Sequence, residues 1–200
     1  MKKSWVRGGY AATLMIVLLG CRETQEQRYL AYEKSELGKA VRYDSLFMGL
    51  HLKMSLKEFR EYCFNKNIEG KFKQGGMKNY SWVEAKLKDT KYPMAITFYP
   101  NFKNDSISEL NAAIYYDNAV FDDGAFELDS LLLEVLQLMD QWYGGPVFKI
   151  KSPFFYKEDV HVKVNGNRRI TIYPDASGQM INLWYVDLTT LKRERHDNKE

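Results

Sequence analysis

The sequence predicts an α+β fold in which two helix-plus-three-strand units form an antiparallel sheet covered by helices on one side. Three observations support this prediction. Two stretches carry apolar residues at helical spacing, shorter stretches alternate apolar and polar residues, and the order helix–strand–strand–strand occurs twice. A motif also repeats, because Ile96-Thr97-Phe98-Tyr99-Pro100 in the first unit matches Ile170-Thr171-Ile172-Tyr173-Pro174 in the second. The sequence therefore indicates a duplication folded into one paired structure.

The first unit, residues 46–123, begins with a helix. Ser55 and Glu58 have the spacing of a capping box, in which each side chain accepts a hydrogen bond from the other residue's backbone amide. The predicted apolar stripe of this helix consists of Leu56, Phe59 and Cys63. Because Cys63 lies on the stripe, we expect a buried thiol rather than a reactive one. Three predicted strands follow, over residues 80–87, 94–99 and 107–116.

The second unit, residues 124–190, repeats this order. Its helix is predicted from Asp129 to Tyr143, where Gly144-Gly145-Pro146 ends it. Alternation of valine with polar residues predicts a strand over 160–164, and Asn165-Gly166 predicts a tight hairpin after it. The last two predicted strands cover residues 170–173 and 180–186.

Residues 1–20 have the features of an export signal. Lys2, Lys3 and Arg7 form a basic start, and an uncharged stretch continues to Gly20. This stretch is shorter than the roughly 20 apolar residues that a membrane-spanning helix needs. Removal of residues 1–20 takes away three of the 29 basic residues and leaves 26 basic and 26 acidic ones. The mature chain is thus formally neutral and has no basic stripe that predicts nucleic-acid binding.

The signal ends in Leu18-Leu19-Gly20-Cys21, which resembles the lipobox of bacterial lipoproteins. The resemblance implies that the Cys21 thiol receives a diacylglyceryl group and that cleavage makes this residue the new N-terminus. Arg22 follows instead of an aspartate, which implies lipid anchoring to the outer membrane, with periplasmic and surface-facing orientations both open. The alternative is a plain signal or an uncleaved anchor with an incidental cysteine. Residues 21–45 are expected to be a lipidated cysteine and tether, with a short helix around 29–39, and residues 191–200 a charged tail.

A second resemblance concerns the globular part. The stretch Gly49-Leu50-His51-Leu52-Lys53-Met54-Ser55-Leu56-Lys57-Glu58-Phe59 is similar to the opening of small lipoproteins of the SmpA/OmlA (BamE) type. It is also similar to beta-lactamase-inhibitor-protein-like modules, and Tyr143-Gly144-Gly145-Pro146 resembles the helix end common in both. The resemblance implies a non-catalytic protein-binding or envelope-assembly role, with a protein partner in the envelope.

The chain lacks the sequence motifs of a nucleophilic hydrolase, a phosphate-binding loop or a zinc site, so we expect neither enzyme activity nor a metal or other cofactor. The nearest candidate for a metal site is His161 with Asp159, and a solvated strand face explains this pair better. An acidic connector between the units also suggests a calcium site, although a loop that precedes the second helix explains it as well. The connector contains Asp117, Asp122, Asp123, Glu127 and Asp129.

Three aromatic residues are the candidate binding residues: Tyr99, Tyr173 and Trp184. Strand alternation places Tyr99 opposite Phe98 and Tyr173 opposite Ile172, so both tyrosines are expected on the outward side of their strands. Exposed aromatics on a sheet bind a protein partner or stack on sugar rings. The leading function is therefore protein binding, with capture of a glycan or other nutrient as the alternative. A third possibility is that these aromatics form a second layer of core.

Overall fold

The computed structural model describes residues 23–75, 82–117, 127–151 and 159–191 and shows a mixed α+β fold. Its helices are α1 Gln25–Gly38, α2 Leu56–Ile68 and α3 Leu128–Tyr143, and a single helical turn covers 188–191. Its strands are β1 Phe72–Gly75, β2 Trp82–Lys86, β3 Met94–Lys103, β4 Ser106–Tyr116, β5 Phe148–Lys151, β6 Asp159–Asn165, β7 Arg168–Pro174 and β8 Ile181–Asp187.

All eight strands form one antiparallel sheet in the order β1-β2-β3-β4-β8-β7-β6-β5. Each half is a four-strand meander, and the halves meet where β4 pairs with β8, with Ala112 opposite Leu183. The sequence predicted three strands per half, and that count is wrong. The strands it missed, β1 and β5, are four residues long and lie at the two sheet edges, where the alternation is too short to recognise.

One side of the sheet, here called the inner face, packs against α2 and α3. Phe59 of α2 and Val135 of α3 belong to the same core cluster as alternate residues of the central strands. The cluster includes Ile96, Phe98, Leu110, Ala112, Ile114, Ile170, Ile172, Leu183 and Tyr185. The predicted capping box of α2 is confirmed, since Ser55 and Glu58 bind each other's backbone amides. At the end of α3, Gly144 adopts a positive φ of 57°, a conformation that favours glycine.

Helix α1 lies on the opposite side of the sheet. Its Tyr29 packs with Phe148 and with the valines of β6. These valines face away from the inner face, because the alternate residues His161 and Lys163 are the ones that pair with the inner-face residues of β7. The rings of Tyr29 and Phe148 meet edge to face, with centroids 6.0 Å apart. The prediction that helices cover only one side of the sheet therefore does not hold for α1.

The segment that follows α1 is also part of the folded body. Residues 41–43 cross the β6–β7 hairpin, where the Asn167 side chain accepts a 2.7 Å hydrogen bond from the Tyr43 amide. The Arg42 guanidinium lies 2.8 Å from a carboxylate oxygen of Asp187, which is 2% exposed. Residues 25–45 are thus packed rather than extended, and the expectation of a tether over 21–45 is wrong for them. None of the described helices is long and apolar enough to cross a membrane.

Candidate binding face of the sheet

The candidate site is the part of the outer sheet surface formed by β2, β3, β4 and β8, which we call the open face. No helix among the described residues packs over β3 and β4 on this side. The pairing register aligns three of its side chains, and one more from the neighbouring β7, in one row across the sheet. The row consists of Tyr99, Asn111, Trp184 and Thr171. The sheet therefore presents Tyr99 and Trp184 side by side with a polar residue between them.

Tyr99 is the exposed aromatic of the open face. Its side chain is 43% exposed, whereas the neighbouring Phe98, on the inner face, is fully buried. Strand alternation predicted this opposition. The outward orientation of Tyr99 is confirmed.

Trp184 is half-buried and held in a fixed position. Its indole Nε1 donates a 3.1 Å hydrogen bond to a carboxylate oxygen of Glu109. The Arg169 guanidinium lies 5.5 Å from the ring centroid, within the range of a cation–π contact. These contacts fix the orientation of the indole in the same row as Tyr99.

Tyr173 lies on the same side of the sheet as Tyr99, opposite the buried Ile172, as predicted. However, it packs against the cluster beneath α1, and burial raises the pKa of its hydroxyl. Three strand spacings separate β3 from β7, so the two tyrosines are about 14 Å apart across the sheet. Tyr173 therefore lies at the border of the open face rather than within its exposed part.

Sequence reasoning did not single out Tyr115 and Glu84, which also lie on the open face. The Tyr115 hydroxyl donates a 2.9 Å hydrogen bond to Glu84 across β3. Burial, and next the hydrogen bond to this carboxylate, raise the pKa of Tyr115. Strand alternation could have identified Tyr115, because its neighbours Ile114 and Tyr116 are buried on the inner face and Tyr115 therefore points to the other side.

Two cavities lie away from the centre of the open face. A cleft of about 1000 Å³ opens between α2, the end of α3 and β1–β2, with Phe47, Phe72 and Trp142 among its lining residues. A smaller cavity of about 550 Å³ is lined in part by Tyr99, Phe64 and Phe102. Neither cavity is lined by Tyr173 or Trp184. The smaller of these two cavities meets the open face at Tyr99, and the larger meets it at Glu84.

The pair His161 and Asp159 does not converge on a metal site. Asp159 instead binds Lys149 at 3.3 Å and Lys151 at 2.6 Å. His161 lies on the inner side of the sheet, where burial, then the charge of Lys149, lowers its pKa. The expectation of a solvated face holds for the exposed Asp159 and not for the half-buried His161. The adjacent Lys163 is only 1% exposed and donates a 2.9 Å hydrogen bond to the Gly145 carbonyl.

The acidic connector is only partly described. Asp117 binds Lys86 at 2.8 Å, and Glu127 precedes α3 as its N-cap without a side-chain capping bond. Asp122 and Asp123 lie outside the described residues. In the parts of the chain that the structure describes, no group of three or more histidine, cysteine or carboxylate side chains could hold a metal ion.

Of the two cysteines, Cys63 lies within the described residues. Cys63 is half-buried in the middle of α2, and desolvation raises the pKa of its thiol to about 11. This agrees with the expected structural thiol, although its burial is partial. Cys21 lies outside the described residues.

Comparison with known proteins finds no matching family model, no matching curated protein and no matching solved structure.

Proposed function

We propose that this chain is a lipid-anchored protein of the cell envelope whose open face binds another protein. The observation that carries the binding role is the row of Tyr99, Asn111 and Trp184 on a sheet surface that no described helix covers. Protein interfaces are enriched in tyrosine and tryptophan held in rigid positions. The hydrogen bond from Trp184 to Glu109 provides such rigidity.

The shape of the site favours a protein over a small ligand. Small molecules bind in concave pockets that enclose most of their surface, whereas Trp184 and Tyr173 line neither cavity described above. The alternative, capture of a glycan by a surface lipoprotein, is favoured by one observation. Tyr99 and Phe102 line the 550 Å³ cavity, and aromatic rings in a pocket can stack on sugars.

The anchor is proposed from the sequence. Lys2, Lys3, Arg7 and the apolar run before Cys21 match an export signal, and Leu18-Leu19-Gly20-Cys21 resembles a lipobox. Each buried methylene contributes about 0.8 kcal/mol, so two acyl chains hold a protein at a bilayer without a membrane-spanning helix. We place the protein at the outer membrane because Arg22 follows the cysteine.

We also propose that the two halves arose by duplication and that each unit is a helix followed by strands, as in the SmpA/OmlA-type and beta-lactamase-inhibitor-protein-like modules. The register supports this proposal. Tyr99 pairs with Asn111 in the first half, and Tyr173 pairs with Asn182 in the second. The strands that carry the repeated motif, β3 and β7, also occupy equivalent places on the two sides of the β4–β8 pair.

The anchor is tested by substituting Cys21→Ser and separating membranes from soluble protein. We expect the variant to be soluble and folded, because the proposed acyl chains are lost while the body is unchanged. A high-salt wash removes proteins held only by charge. Mass spectrometry of the natural protein supplies an independent check, since an unmodified peptide that still contains Met1 through Arg22 contradicts the proposal.

The open face is tested by site-specific photo-crosslinking in intact envelopes. A photoreactive residue at position 99 is expected to give a discrete adduct with one protein. The matched control is position 57, since the Lys57 side chain is 83% exposed on α2, on the other side of the sheet. Equal crosslinking at both positions contradicts the assignment of the interface to the open face.

The same experiment needs a check that position 99 tolerates substitution. Because Tyr99 is 43% exposed, Tyr99→Ala is expected to cost little stability, whereas Phe98→Ala is expected to cost about 3–5 kcal/mol. Thermal unfolding of both variants measures this contrast. Similar losses from the two substitutions would place Tyr99 in the core.

A further inference from the structure

Helix α1 crosses the outer surface of the sheet from one end of the strands to the other. At its start, Glu26 accepts a 3.4 Å hydrogen bond from the Lys151 amide at the end of β5. At its finish, Glu36 accepts a 3.0 Å hydrogen bond from the Gly166 amide in the β6–β7 hairpin. The 14 residues of the helix span about 21 Å, close to the length of the seven-residue β6 beneath it.

The antiparallel order defines two ends of the sheet. The proximal end is the one at which α1 begins, and it carries the β7–β8 turn, residues 175–180, and the β2–β3 loop, residues 87–93. The distal end carries the β6–β7 and β3–β4 hairpins. Helix α2 also begins at the distal end, where its Leu56 amide donates a 3.3 Å hydrogen bond to Asp105.

Only four residue steps separate Cys21 from Gln25, the first residue of α1. A chain of that length reaches at most about 14 Å. The packed α1 therefore leaves no long tether between the proposed acyl chains and the body. The start of α1 is held within this distance of the bilayer surface.

We infer that the proximal end of the sheet rests on the phospholipid headgroups, with the strands directed away from the membrane. This inference rests on the proposed lipidation of Cys21. Among the described residues near the start of α1, Lys151, Asp159 and Gln179 are exposed, and such charged and polar side chains suit contact with headgroups rather than insertion into hydrocarbon. The open face then stands upright, and a membrane-bound partner reaches it from the side.

Energy transfer from a dye on the protein to labelled headgroups tests the orientation. The lipidated protein is reconstituted in phospholipid vesicles in a Cys63→Ala background, with one dye attached through either Gln179→Cys or Lys57→Cys. Position 179 lies in the proximal β7–β8 turn, and position 57 lies at the distal start of α2. The two ends are about 35 Å apart, from the length of the 11-residue β4. We expect severalfold more efficient transfer from position 179.

A variant with a longer linker between Cys21 and α1 is the matched control. Ten glycine and serine residues inserted after Arg22 form a flexible coil with a root-mean-square length of about 17 Å, added to the existing four steps. The difference between positions 179 and 57 should then shrink, because the body rotates more freely. Equal transfer from both positions without the insertion overturns the inferred orientation, and so does stronger transfer from position 57.

Flotation of the same samples separates the orientation from the anchor. Protein that floats with vesicles and loses flotation after Cys21→Ser is anchored as proposed, whatever the transfer shows. Flotation that is unaffected by Cys21→Ser overturns the proposed anchor, and with it the basis of the orientation.

Discussion

At the scale of single residues, Gly166 shows how a hairpin glycine serves a contact made by a distant part of the chain. The sequence predicted the Asn165-Gly166 turn, and the structure adds that Gly166 has a φ of 53° and lies beneath residues 41–43. A Cβ at this position would overlap the Val41 carbonyl oxygen and contact the Tyr43 ring. Glycine is therefore favoured at position 166 both by the positive φ of the turn and by the close approach of the Val41 carbonyl.

Gly166→Ala is expected to lower the free energy of unfolding by about 1–3 kcal/mol, because an alanine at positive φ is strained and lacks space. Gly38→Ala is the control, since Gly38 ends α1 with nothing within 4 Å of an added Cβ. There we expect no loss or a small gain in stability. Urea unfolding of both variants measures the contrast, and equal effects would contradict the contact with Val41.

Cys63 provides a second prediction at the residue scale. Desolvation raises the pKa of its thiol to about 11, so little reactive thiolate is present at pH 8. We expect slow reaction with a disulfide reagent in the folded protein and much faster reaction after unfolding in guanidinium. An exposed thiol in the variant Cys63→Ala with Gln179→Cys is the control and should react rapidly in both states. Fast reaction of native Cys63 would show that the thiol is accessible.

At the scale of elements, the structure differs most from the sequence prediction in residues 23–45. Helix α1 has few apolar residues, and no sequence pattern predicts that it packs against the sheet. Its binding depends on Tyr29 and on polar contacts with residues more than a hundred positions away, such as Glu36 with Gly166. Sequence periodicity detects a helix by its own apolar stripe and cannot detect partners that the fold brings close.

Other elements were predictable because their signals are local. The capping box of α2, the stop of α3 at Gly144 and the β6–β7 hairpin each depend on a few adjacent residues. The outward orientation of Tyr99 followed from strand alternation in the same way. That Tyr99 is more exposed than Tyr173 could not be predicted in this way, because the difference depends on where α1 packs.

The contact between residues 41–45 and the second half leads to a pH prediction. Burial alone would raise the pKa of Asp187, but hydrogen bonds from Thr189 and Arg42 outweigh it and hold the pKa below its ordinary value. A carboxylate with a lowered pKa in the folded state stabilises the protein above its unfolded pKa, about 3.9. That contribution is lost as the pH falls through the folded pKa.

Stability is therefore expected to fall as the pH drops below about 4. In Asp187→Asn, we expect lower stability at pH 7 and a smaller difference between pH 7 and pH 3. Asp89→Asn, a substitution in the exposed β2–β3 loop, serves as the control and should keep the full difference. Urea unfolding at several pH values gives these free energies. An unchanged pH dependence in Asp187→Asn would mean that other carboxylates carry the acid sensitivity.

At the scale of the whole molecule, the two halves share one core. The cluster between the inner face and the helices contains Phe98 of the first half and Ile172 of the second, and β4 pairs with β8 along six residues. A core shared in this way couples the halves energetically, because neither can open without exposing apolar surface of the other. Descent from a duplication, as proposed, would thus not imply two independent folding units.

We therefore expect one cooperative unfolding transition. Phe98→Ala should destabilise the protein by about 3–5 kcal/mol and Ile172→Ala by about 2–5 kcal/mol, and both substitutions should move the same transition. Far-UV circular dichroism follows the whole sheet, while tryptophan fluorescence follows β2, α3 and β8 through Trp82, Trp142 and Trp184. Coincident curves from the two probes in each variant support a single unit. Two transitions, each shifted by only one of the substitutions, would show that the halves unfold separately and that the β4–β8 pair couples them weakly.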